Sequence, residues 1–291
     1  MDAEAIQKRL GGKMNMPSLQ RHAELARLLL KQEDVSLPEV AALVRQDPPL
    51  TARLLRGVNS AAYSLNEPVF EPTHAASVMG VRGLQNLIMR APTFDEKRVL
   101  AETGYDITGL WETSSATAAL CVWMHSNLQA ARRFEENELE IHGLLCDIGR
   151  YAMFDGLGND FAIACKKAVD ESRSLESVER ETFGFSHNDL GAMLVKRWSL
   201  PESFVKTTRF HHNDQRVAEA DPLVSLIYVA GEIVEHRIEK ESDLHRKMGM
   251  RIDQLMRTVP HLIHERLELS TDFYEAALRY LTKRATESKA A

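Results

Sequence analysis

The stretch Leu139 to Asp155, LEIHGLLCDIGRYAMFD, constrains the fold more than any other part of the chain. Ile141, Leu144, Leu145, Ile148 and Ala152 recur at helical spacing and mark one buried face. Leu139, Gly143, Cys146 and Met153 make the opposite side apolar too, so the pattern predicts one helix through the middle of the molecule, with Asn137 capping its start. Such a helix has no solvated face for a charge. Asp147 is therefore the anomaly. A buried carboxylate left alone costs several kcal/mol, so it must be ion-paired, hydrogen-bonded, protonated or beside water in a cleft.

The rest of the chain supplies the core this helix needs. With 291 residues, 44% of them hydrophobic, a large core can form without staples. Acidic and basic residues, 42 against 36, are well mixed and leave a net charge of -6, which argues against a nucleic-acid surface. Arg132-Arg133 and the pair Arg53 and Arg56 are the nearest approach to basic clusters and read as solvated charge. Cys121, Cys146 and Cys165 are odd in number and set among apolar residues, so they read as reduced cysteines. The start, MDAEAIQKRL, lacks an apolar core of the signal-peptide kind, and the longest apolar run, Leu223 to Gly231, is too short to span a bilayer. The expectation is a cytoplasmic protein without a membrane partner.

Helical signals follow one another along the chain. Leu25, Leu28 and Leu29 predict a helix over 19–32. Ser36-Leu37-Pro38-Glu39 and Asp47-Pro48 each open another, the latter carrying Leu50, Leu54, Leu55 and Val58 inward. Gly80 is a stop signal before the segment of Leu84, Leu87 and Ile88. Residues 66–73 and 92–106 read as loops, and no stretch shows strand alternation. A stripe of Ile107, Leu110, Trp111, Ala118, Cys121 and Val122 begins the next helix. Ser186-His187-Asn188-Asp189 is a capping-box pattern whose helix turns His187, Leu190, Gly191, Leu194 and Trp198 to one side. Ser199-Leu200-Pro201-Glu202 repeats the earlier start signal, ahead of a helix reaching His211 and His212. Amphipathic segments continue to about Ser288, with a frayed tail over 287–291. The predicted class is all-α: an N-terminal helical segment over 1–17, a domain over 18–235 in two closely packed lobes (18–105 and 106–235), and C-terminal helices over 236–291 packing on it.

Taken together, SLPEVAALVRQDPPLTARLLRGVNSAAY, HAASVMGVRGLQNLIM, Leu110-Trp111, LLCDIGR, ETFGFSHNDLGAMLVKRWSLP and the pair His211-His212 resemble, in order and spacing, the HDOD domain family. That family is a branch of the HD superfamily of metal-dependent phosphohydrolases. The resemblance implies an HD-like second lobe and a role in bacterial signal transduction. It also lets the metal ligands be checked one by one. Thr113 stands where an early histidine would be, Cys146 stands for the histidine of the His-Asp pair, and Asp147 is retained. The later aspartate would fall in Tyr228 to Gly231, which holds no carboxylate. His187, His211 and His212 match positions that supply extra ligands in the cyclic-dinucleotide-cleaving branch.

One carboxylate and a few imidazoles suffice in kind for Zn²⁺, Fe²⁺ or Mn²⁺. The loss of most ligands nevertheless favours a structural remnant, with Thr113, Cys146, Asp147, His187, His211 and His212 lining a ligand cleft and no cofactor. The expected function is a non-catalytic regulatory module that binds a protein partner or a small ligand such as a nucleotide, possible as a homodimer. The alternative is a metal-dependent phosphohydrolase of nucleotides or cyclic dinucleotides on the reduced set Asp147, His187, His211 and His212. Residues 59–63 with Arg53 form a weaker candidate surface. Gly11-Gly12-Lys13 lacks the remainder of a phosphate loop, and no nucleophile motif surrounds Ser114-Ser115 or the cysteines.

Overall fold

The structure, a computed structural model, describes residues 6, 10, 16–31, 34–212, 221–237 and 244–290. Most of the segment expected over 1–17, including Gly11-Gly12-Lys13, lies outside them. The chain is all-α, as its periodicity requires. The described residues form two compact units, one made of the chain up to Ser114 with Leu144–Arg209, the other of Ser115–Gly143 with the chain from Phe210 onward. The span 106–235 is thus divided between units.

In the first unit α1 (Gln20–Leu29), α2 (Leu37–Val44), α3 (Pro48–Val58) and α4 (Pro72–Met89) open the chain. Ser36 caps α2 by accepting the Glu39 N–H, and Asp47 caps α3 by accepting the Leu50 N–H. Helix α1 forms where expected, but it turns Ala23 and Ala26 inward and leaves Leu25 and Leu28 exposed. Gly80, with φ 68° and ψ 169°, breaks α4 into two segments, a backbone state only glycine takes without strain.

Two expectations for 92–106 and for strands are corrected. Within the supposed loop α5 (Glu96–Thr103) forms, started by the Asp95 side chain on the Arg98 N–H and stopped by Gly104 at φ 68°. Its only buried side chain is Val99, so no apolar stripe announces it. Residues Ser18–Leu19 (β1) and Thr93–Phe94 (β2) pair in parallel, Ser18 opposite Thr93. Two residues are too few to show a period of two.

Beneath that pair lies the buried carboxylate of Asp47, fully enclosed. Its Oδ2 accepts the Ser18 hydroxyl at 2.6 Å, the Trp111 indole N–H at 2.9 Å and the Leu19 N–H at 3.4 Å, and meets His22 Nδ1 at 3.0 Å. Its Oδ1 takes the Leu50 N–H at 2.8 Å. One side chain thus joins β1, α1, α3 and the start of α6 (Thr108–Asn127).

The single helix expected over 139–155 is broken. Helix α7 (Glu136–Leu145) ends before Cys146, and α8 (Ile148–Leu157) begins after Asp147, whose φ of -91° and ψ of 12° are not helical. Asn137 lies inside the first turn of α7 and not at its cap. Burial of every residue from 141 to 149 agrees with an apolar surface all round, and for that reason periodicity could not reveal the break. Next come α9 (Asn159–Asp170), α10 (Leu175–Phe183) and α11 (His187–Arg197), the last with a complete Ser186–Asp189 capping box. The second SLPE differs from the first. Ser199, at φ 56°, closes α11, its N–H bonding to Lys196 O and that of Leu200 to Val195 O, and α12 (Glu202–Phe210) follows.

In the second unit α13 (Pro222–Glu235) is buried on nearly every side. With it are α14 (Leu244–Thr258), α15 (His261–Leu267) and α16 (Thr271–Ala290). Trp123 on α6 stacks against Tyr280 at 5.8 Å and meets Phe273 at 5.4 Å, which holds α16 to α6. The frayed tail expected over 287–291 is helical through Ala290, continuing a helix anchored by Tyr274, Ala277, Leu278 and Leu281.

Asp47→Ala strands several buried donors at once, so a loss of about 3–5 kcal/mol is expected in urea unfolding. Asp47→Asn, which keeps an acceptor, should lose less than half of that.

Candidate functional site

Helices α8 and α11 set the site by touching backbone to backbone. Gly149 lies directly against α11: a methyl group there would overlap the carbonyl oxygen of His187 and come within 2.9 Å of the Gly191 nitrogen. A methyl group on Gly191 would in turn meet Thr208 Cγ2 on α12 at 2.5 Å. Two small residues therefore let the helices approach until the turn before α8 faces the first turn of α11. That turn carries Asp147, and the facing residue is His187.

Both are buried, at 5% and 1% exposure. His187 Nε2 stands 3.6 Å from Asp147 Oδ1, and Arg150 Nη1, one turn into α8, stands 3.7 Å from the same oxygen. Behind His187, Glu179 of α10 is fully enclosed; its Oε2 accepts the His187 backbone N–H at 2.9 Å and lies 2.6 Å from Nδ1. A carboxylate at that distance selects the tautomer with hydrogen on Nδ1, so that Nε2 faces Asp147. Burial by itself would weaken the charge on Arg150. The carboxylates, Asp147 first and then Glu179, more than offset it, and the guanidinium is held above its ordinary pKa. Burial likewise raises the Tyr105 hydroxyl and pushes the Cys165 thiol up to about 11, so neither is charged at neutral pH.

The structure brings Asp147 and His187 together as expected. Cys146 is buried in the turn just before Asp147, and Thr113 is half-buried on α6. His211 and His212 follow the end of α12 and belong to the second unit. His211 is buried, its ring 4.2 Å from that of His212, and His212 Nδ1 lies 3.9 Å from Glu235 Oε1. Residues 228–231 lie on α13 with Tyr228, Val229 and Ala230 buried.

Sequence reasoning missed Glu179 and Arg150. The signal for Glu179 was present: it falls four residues before the buried Phe183, so the two share an inward face. Arg150 belongs to the LLCDIGR stretch already singled out, three residues after Asp147.

In kind, the donors Asp147 and His187 fit a divalent cation. A ligating imidazole commonly gives its second N–H to a carboxylate, as His187 does to Glu179. Against this, the Asp147 oxygen that would bind metal already faces the fixed charge of Arg150.

Gly149→Ala should separate α8 from α11 and lower stability by about 1–3 kcal/mol in urea unfolding, through forced overlap with backbone that has no rotamer to yield. Glu179→Gln should keep the fold but abolish the tautomer preference, read from long-range proton–nitrogen NMR of His187.

The fold has counterparts among known proteins. A family profile described as the HDOD domain matches residues 16–214. An uncharacterized protein of Treponema pallidum (strain Nichols) is 29% identical over 204 residues, covering 69% of this chain, which itself spans only 38% of that relative. The crystal structure of the MmoQ response regulator from Methylococcus capsulatus superposes with a TM-score of 0.65 at 23% identity, over 90% of this chain and 97% of that one. A virulence factor from Campylobacter jejuni subsp. jejuni gives a TM-score of 0.59 at 17% identity, over 91% of this chain and 99% of the other. At such identities the likeness is one of fold. With the family match covering well over half of its length, the chain belongs to the HDOD domain family.

Proposed function

We propose that the chain is a signal-transduction module whose degenerate HD site binds and does not hydrolyse. The observation that carries this reading is the state of Asp147 and His187. Asp147 faces Arg150 and His187, and His187 is held by Glu179, so each is already engaged by a neighbour of the first unit. A hydrolytic metal needs about three protein ligands and an open position for water. The resemblance assigns Thr113 and Cys146 to two of the ligand positions, and a hydroxyl and a buried thiol are poor replacements for imidazole. The likeness to a response regulator supports a signalling role.

The rival reading, a metal-dependent phosphohydrolase, draws on a specific observation. Two carboxylates, Asp147 and Glu179, stand against one guanidinium, which leaves room for one further positive charge. Where a metal is bound, it would supply an activated water, with Asp147 and His187 as its holders in this unit and Glu179 orienting the imidazole.

Metal analysis of protein purified without chelator, followed by assay against nucleotides and cyclic dinucleotides, separates the readings. Substoichiometric metal and no turnover are expected. Stoichiometric metal with turnover that disappears in Asp147→Asn would establish the enzyme instead.

A further inference from the structure

Four helices of the second unit converge where α14 ends. Tyr228 of α13 donates its hydroxyl hydrogen to Thr258 O at 3.3 Å, and His264 of α15 donates from Nε2 to Val259 O at 3.1 Å. The His264 ring meets that of Tyr274, on α16, with 5.7 Å between centroids and 66° between planes. Glu232 follows Tyr228 by one turn on the same side of α13. Thr258 is exposed, Glu232 and His264 are half-buried, and Tyr228 and Tyr274 are buried, so the group runs from the surface inward.

Two of its atoms are unsatisfied. The hydroxyl of Tyr274, a side chain 0% exposed, and the enclosed Nδ1 of His264 have no hydrogen-bond partner among the described residues. Enclosed polar atoms are as a rule paired. A backbone carbonyl only accepts, so the bond to Val259 puts the hydrogen of the neutral ring on Nε2 and leaves Nδ1 with a bare lone pair. The group is thus rich in acceptors: His264 Nδ1, the two tyrosine oxygens and the Glu232 carboxylate. Burial first, and then Glu235, raise the Glu232 pKa despite His212, His236 and Thr258, so this carboxylate favours a positive neighbour and disfavours an anion. One imidazole and one carboxylate fall short of the about three protein ligands a metal takes.

We propose that Tyr228, Glu232, His264 and Tyr274 form a binding site for a small organic ammonium ion. Its N–H groups donate to His264 Nδ1 and the Tyr274 oxygen, Glu232 balances its charge, and the tyrosine rings offer the π faces that attract a cation. The site shares no residue with the Asp147 cluster and does not depend on the function proposed for it.

Titration of the full chain with n-butylammonium at about pH 8, where an imidazole is ordinarily neutral, tests this, with proton–nitrogen NMR of His264 as the readout and n-butanol as the uncharged comparison. Saturable binding that moves the Nδ1 resonance is expected, at least about tenfold tighter than that of butanol and at least about tenfold weaker in Tyr274→Phe and in Glu232→Gln, the scale of one charge-assisted hydrogen bond. Tyr274→Phe removes only an oxygen that lacks a partner, and Glu232→Gln keeps the size of a half-buried side chain, so circular dichroism should show both folded. Asp147→Asn should leave binding unchanged. The proposal is overturned by absence of saturable butylammonium binding, by equal affinity for butanol, by affinity unaltered in either folded variant, or by loss of binding in a folded Asp147→Asn protein.

Discussion

The first unit depends on how closely α8 and α11 approach, and that approach depends on Gly149 having no side chain. Two helices packed through ordinary residues stand about 8–10 Å apart, each face separated by a layer of side chains. Here the layer is missing at one point, and backbone meets backbone at His187 and Gly191. The turn carrying Asp147 and the capped start of α11 then face each other at side-chain distance, and charges from α8, α10 and α11 gather in a space with little water. Without that contact Asp147 would keep Arg150 of the helix that follows it but lose His187. With it, Arg150 and His187 stand on either side of one oxygen, and Glu179 stands behind the imidazole.

A second enclosed carboxylate, Asp47, holds the opening helices to this centre. Its hydrogen bond to the Trp111 indole is continued by an edge-on contact between Trp111 and Tyr151 of α8, ring centroids 4.6 Å apart. The Tyr151 hydroxyl in turn bonds Leu110 O at 3.0 Å and Ser114 Oγ at 2.9 Å. A continuous path of short contacts therefore runs from β1 and α1 to the helix that carries Arg150. Such a path positions; it does not by itself establish that a signal travels along it.

Asp147 and His187 could be retained for metal, but their present neighbours give them sufficient structural reason to stay. A buried charge held by a neighbour is costly to strip of that neighbour, because the survivor is left uncompensated. Retention of a metal-ligand residue type is thus weak evidence of catalysis wherever the structure supplies it with a protein partner.

Much was legible in the residues themselves. Helical periods, the caps at Ser36, Asp47 and Ser186, the kink at Gly80 and the inward His187 all follow from interactions within a few positions of the chain, which local spacing encodes. So did the oddity of Asp147, since its neighbours declare its burial. Tertiary structure decided the rest: that the central helix breaks at Cys146-Asp147, that Leu25 and Leu28 of α1 face outward while two alanines face in, that the second SLPE ends a helix, and that Glu179 and Arg150 are the partners of the site. The physical reason is common to these. Each is settled by which surfaces meet across tens of residues of chain, and an all-round apolar or mixed-charge stretch has the same local period whichever neighbour it finally packs against.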